Sequence, residues 1–193
     1  MSTTTAHAST RTLPSVRVQS AATVLAIVGA VALPQVFHVA GAAIGVGTGL
    51  GQSLLPMHLP VLLVGLLAGP FAGVATGAIA PIVSFALTGM PVAAMVPFMV
   101  IELAAYGLFA GLMRGVDAPR PLASPIAWFG RLFAAQVAGR LVRAVAVVVA
   151  VSLLGGTAVT VASIWTSVVA GVPGLIVQWI AIPAIMAAVD ARR

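Results

Sequence analysis

The sequence has no cysteine and no lysine, and it carries little charge of any kind. Without cysteine there is neither a disulfide nor a thiolate metal site, and redox compartment cannot be read from the chain. Charged residues make up 6% of it and hydrophobic residues 61%, with a mean hydropathy of +1.19. A soluble domain carries roughly a quarter charged residues, so that class is excluded and an integral membrane protein is expected. A chain of 193 residues holds about six membrane helices of ~20 residues and little else. That leaves no space for a soluble nucleotide-binding or catalytic domain, so any energy must come from a partner or an ion gradient.

The net charge of +6 is all arginine against few acids, and the arginines gather near segment ends, which does not point to nucleic acid. Arg11 and Arg17 precede the first apolar run, Arg114, Arg120 and Arg131 surround a central connection, and Arg192 and Arg193 close the chain. The positive-inside rule then puts both termini and the central loop on the cytoplasmic side, with an even number of spans. Residues 1–17 are polar, lack the order of a signal peptide and are expected to be a disordered cytoplasmic tail. The predicted fold is all-α, one membrane domain over 18–190 with six spans at about 18–38, 57–69, 71–87, 93–113, 132–154 and 161–189. An outer loop is expected at 39–55, and a cytoplasmic loop at 114–127 with an interfacial segment anchored by Trp128. Pro81 should kink the third span, and Pro173 is a candidate break in the last.

The stretch 33–91 concentrates the features that suit a ligand site. His38 and His58 bracket a glycine-rich segment containing Gln52, and Met57, Met90, Met95, Met99 and Phe98 offer an adaptable apolar wall. The two histidines are either polar caps or axial ligands to the iron or cobalt of a tetrapyrrole. A free metal ion is disfavoured, because no Asp, Glu or Cys lies on this side to complete its shell. Glu102, Arg140 and Arg143 fall inside spans, where a charge costs roughly 2.5 to 3.5 kcal/mol and must be paired or wet. Arg140 and Arg143 share a helix face, so one can pair with Glu102 while the other meets a ligand carboxylate or phosphate. Equally, the pair can simply orient the bundle, or lie near the cytoplasmic interface if the helix begins later. Ala22, Ala26 and Ala30 recur every four residues, which permits close approach of another helix in lipid.

Several of these segments resemble a known family. Leu-Pro-x-x-Phe-His at 33–38, Leu-Pro-Met-His-Leu-Pro-Val-Leu-Leu at 55–63, Gly-Pro at 69–70, Leu-Thr-Gly-Met-Pro at 87–91 and Glu-Leu-Ala-x-Tyr-Gly at 102–107 are similar to the S components of energy-coupling factor (ECF) transporters. The resemblance is nearest to the branch assigned cobalamin and haem-like substrates, is strong over 33–114 and weak beyond, and does not specify the solute. It implies a non-catalytic subunit of an ABC-type importer in a bacterial or archaeal cytoplasmic membrane. Such a subunit binds a vitamin-like solute from outside and works with a transmembrane coupling subunit and two cytoplasmic ATPases. It further implies that Ala22, Ala26 and Ala30 dock the coupling subunit, and that Trp165 and Arg143 belong to a pocket that His58, His38, Gln52, Met57, Met90 and Met95 help to line. The transported ligand would be haem or a corrinoid, with no cofactor of the chain's own; a smaller anionic vitamin is the alternative. The arginine pair matches no motif of the family. A proton-coupled carrier using Glu102 is a different class of reading. An intramembrane hydrolase built on Glu102, His38, His58 and Ser84 is disfavoured, because neither H-E-x-x-H nor a serine with a positioned base is present.

Overall fold

The computed structural model describes residues 13–114, 125–154 and 159–191, and it is an all-α bundle. Six segments are long and apolar enough to cross a membrane, so the chain is a multi-pass membrane protein. Its helices are α1 (Val16–Ala43), α2 (Gly49–Leu54), α3 (His58–Ala68), α4 (Pro70–Thr88), α5 (Val96–Leu112), α6 (Pro125–Leu154), α7 (Ala162–Ala170) and α8 (Val172–Asp190). A short 3-10 turn, Ala93–Met95, leads into α5. Valine, leucine and isoleucine on the outward faces of α1, α6 and α8 stay exposed, as a lipid-facing surface requires.

The boundaries depart from the sequence expectation in informative ways. Helix α1 begins before residue 18 and runs past His38 to Ala43, and α2 occupies 49–54, so most of the expected outer loop at 39–55 is helical. The eleven residues of α3 rise only about 16 Å, too little to cross the ~30 Å apolar layer. Helix α2 supplies the rest, and Gly49–Ala68 crosses as one broken span. The break is at Leu55, a non-glycine residue with φ 51° and ψ 47°. Pro81 lies within α4, which continues through it from Pro70 to Thr88. The fifth span begins at Pro125, so Trp128 is part of a continuous α6 and is 2% exposed in the core rather than anchored at an interface. Most of the expected loop at 114–127 and most of the expected tail lie outside the described residues. The expected last span at 161–189 is two helices joined at Gly171, and Val172–Val189 of α8 is the part long and apolar enough to cross; Pro173 sits in the first turn of α8, where its missing N–H costs nothing.

Two kinds of packing hold the bundle. Helices α3, α4 and α5 approach to backbone contact: a Cβ added at Gly73 would strike the Gly107 backbone, and one at Gly77 would strike Leu103. In lipid such contact replaces the hydrophobic drive that water would supply. Gly69, at φ 106°, is the single residue between α3 and α4, and only glycine adopts that backbone without strain. Around this seam Val61, Leu62, Leu103, Tyr106, Ile182 and Met186 are fully buried. Helices α6 and α8 are joined instead by side-chain polar bonds. Gln136 donates to Gln178 at 2.8 Å, Trp179 donates to Gln136 at 2.7 Å, and Gln178 reaches the Leu55 carbonyl at 3.4 Å.

The alanine ladder also meets helices of the same chain, with Ala22 and Ala26 only partly buried. Ala30 is fully buried in the main core, while Ala22 and Ala26 pack against Val64 and Ala68 of α3 and Ala72 of α4. Four-residue spacing promises a close helix neighbour without naming it, and here that neighbour is in the same chain.

Candidate functional site

A cavity of about 460 Å³ opens where α1, α2, α5, α6 and α7 meet. It lies at the α1 C-terminal, α4 C-terminal and α5 N-terminal ends. Its volume is in the range of about 300 to 1,000 Å³ typical of small-molecule sites. The broken span is what makes room: at Leu55 the chain leaves α2 and turns down into α3, placing Leu55, Pro56, Met57 and His58 in the wall.

His58 begins α3, is 6% exposed, and lies against the Tyr106 ring with centroids 5.2 Å apart. Its Nδ1 has no hydrogen-bond partner, a costly state for a buried polar atom and one that a ligand can relieve. His38 reaches the cavity from α1, where its ring leans on α2: a Cβ at Gly51 would be 2.6 Å from Nε2. Gln52 is at the mouth, and Met57, Met90, Met95 and Met99 form apolar wall.

The polar floor comes from α5 and α6. Arg143 donates to Glu102 Oε2 at 3.1 Å, and Tyr106 donates to Glu102 Oε1 at 3.1 Å. Arg140 Nη1 lies 4.0 Å from Glu102 Oε1, an ion-pair distance but not a hydrogen bond. Both carboxylate oxygens are therefore held by donors. The arginines fall near the middle of the 30-residue α6, which begins earlier than expected rather than later. Arg140 keeps Nε and Nη2 without partners, and Arg143 keeps Nε.

His38, Gln52, Met57, His58, Met90, Met95 and Arg143 all line this one cavity, joined by Arg140, Glu102 and Met99. Trp165 does not: it is 70% exposed and points away. Helix α7 turns Ser163, Thr166, Ser167 and Ala170 toward the cavity, and at 100° per residue Trp165 falls on the opposite face. Phe98 packs against Val147 and Val159 instead of lining the site. The α7 hydroxyl row was missed by sequence reasoning, although the spacing 163, 166, 167, 170 marks one helix face; the exposed indole drew attention from it. Ser84, from α4, also lines the cavity, without the neighbours a nucleophile needs. Among the described residues no three of His, Asp and Glu gather as a metal-ion site. No protein-family model, curated protein or solved structure matches the chain.

Proposed function

We propose that the chain is the solute-binding subunit of an energy-coupled importer in a prokaryotic cytoplasmic membrane, taking up a vitamin-like anionic solute, with a metallo-tetrapyrrole as the leading candidate. The observation that carries the reading is the cavity itself: a mostly apolar chamber, with the His58 imidazole in its wall and two guanidinium groups at its floor. Apolar walls with a few convergent polar groups are the usual design of a site for a flat organic molecule. An imidazole with a free nitrogen suits iron or cobalt within a macrocycle, and the arginines suit an acidic substituent. The motif resemblance to S components points the same way and implies partners: a coupling subunit and two ATPases. A volume of about 460 Å³ favours haem, or a smaller anionic vitamin, over a corrinoid with its nucleotide tail.

Titration of haem and cobalamin into purified wild type, His58→Ala and His38→Ala tests this. A visible-band shift with one tetrapyrrole, lost in His58→Ala and largely kept in His38→Ala, is expected. Equal affinities and identical spectra in all three proteins would remove the tetrapyrrole and leave the smaller anionic vitamin as the solute.

A further inference from the structure

We infer that Arg140 is the residue that holds the anionic group of the solute, and that Glu102 and Arg143 form a fixed pair beside it which sets the charge the site accepts. The inference rests on the solute-binding reading of the cavity and adds the residue and the chemical class: an apolar molecule bearing a carboxylate that enters the membrane-embedded floor.

The charge balance is the first ground. The cavity lining contains two guanidinium groups and one carboxylate. Arg143 takes that carboxylate by direct hydrogen bond at 3.1 Å, while Arg140 stands off at 4.0 Å. One unit of positive charge is left over at membrane depth, where an uncompensated ion is expensive. A single anionic group from the solute neutralises it, whereas a neutral or cationic solute leaves the cost in place.

The second ground is the geometry of Arg140. Its side chain is 14% exposed, yet Nε and Nη2 have no hydrogen-bond partner. Those two atoms are one edge of the guanidinium fork, the arrangement that meets both oxygens of a carboxylate. Nη2 lies beside Gly171, where a Cβ would come within 3.0 Å of it and 2.8 Å of Leu55. Arg140 lines the cavity, as does His58, whose Nδ1 is also unpartnered. Arg143, with the direct bond to Glu102, is the positioning residue; Arg140 is the one that touches the solute.

The test uses the full chain in nanodiscs of phosphatidylcholine and two carboxylate probes of different size, protoporphyrin IX and biotin, each against its methyl ester. Neither probe carries a metal, so imidazole ligation does not enter. Wild type should bind at least one acid more tightly than its ester by roughly tenfold to a hundredfold, the range of a charge-assisted hydrogen bond. Arg140→Gln should abolish that preference and Arg140→Lys should keep part of it. Thermal melts of the variants check that each still folds, and the lysine variant carries the comparison if the glutamine variant does not. Equal binding of acid and ester in wild type, a preference that survives Arg140→Gln, or no binding of either acid would each overturn the assignment. So would Arg140-dependent retention of phosphatidylglycerol in place of the acids, which would give the cation to a lipid headgroup. Preference for biotin with no porphyrin binding would sustain Arg140 and discard the tetrapyrrole.

Discussion

The α3–α4–α5 side of the bundle and the α6–α8 side solve the same problem by opposite means. On the first, Gly73, Gly77 and Gly107 bring backbones into contact, and the interface needs no charge. On the second, Gln136, Gln178, Trp179 and Arg143 do the joining through side-chain bonds. Backbone contact leaves no volume, whereas side chains that bridge a distance leave space between them. The cavity opens beyond the glycine seam, lined by α6 and α7 together with the ends of α1, α2 and α5, with Glu102 of α5 as the point where the two modes meet.

Breaking that meeting point should have the largest effect. Glu102→Ala leaves two guanidinium groups buried without a counter-charge and should cost about 3 to 5 kcal/mol, as removal of one partner of a buried pair does. Thermal unfolding in detergent measures it, and adding Arg143→Gln should recover a good part of the loss. If the single variant melts like wild type, the pair is not holding α5 to α6.

A smaller loss is expected from the seam on the glycine side. Gly107→Val inserts a branched side chain into the Gly73 backbone and should cost about 1 to 3 kcal/mol through overpacking. Because the cavity lies elsewhere, ligand affinity of the protein that does fold should be little changed. Affinity falling in step with stability would mean that the two sides are not as separate as their packing indicates.

The smallest effect belongs to the polar side's own bonds. Gln136→Leu removes the links to Gln178 and Trp179 and should cost about 1 kcal/mol, since interhelical hydrogen bonds in membranes average about 0.6 kcal/mol each. The half-buried Trp179 would lose its indole acceptor, so its fluorescence should change along with the melt. An effect as large as that of Gly107→Val would contradict the ranking.

Much of the plan was legible in the residues. Long apolar runs broken by glycine and proline gave six spans, because a backbone in lipid has few alternatives to the helix. His38, His58 and the methionines fell together because they occupy the ends of neighbouring spans, a consequence of chain order alone. The internal arginines were also readable as costly groups in need of a partner. Trp165 was placed wrongly because a large aromatic in an apolar helix looks like a ligand wall, while rotation of that helix about its axis is set by its neighbours. Ala22, Ala26 and Ala30 announced a close helix contact but not whose.

Sequence by itself thus determined the class, the number of spans and the presence of buried charge, since each follows from the cost of exposing polar groups to hydrocarbon. Tertiary structure decided which arginine takes Glu102 and which keeps a free edge, where the broken spans at Leu55 and Gly171 open a chamber, and which face of α7 looks into it. Those are matters of relative rotation and distance between helices, fixed by contacts between residues as far apart in the chain as Leu55 and Gln178.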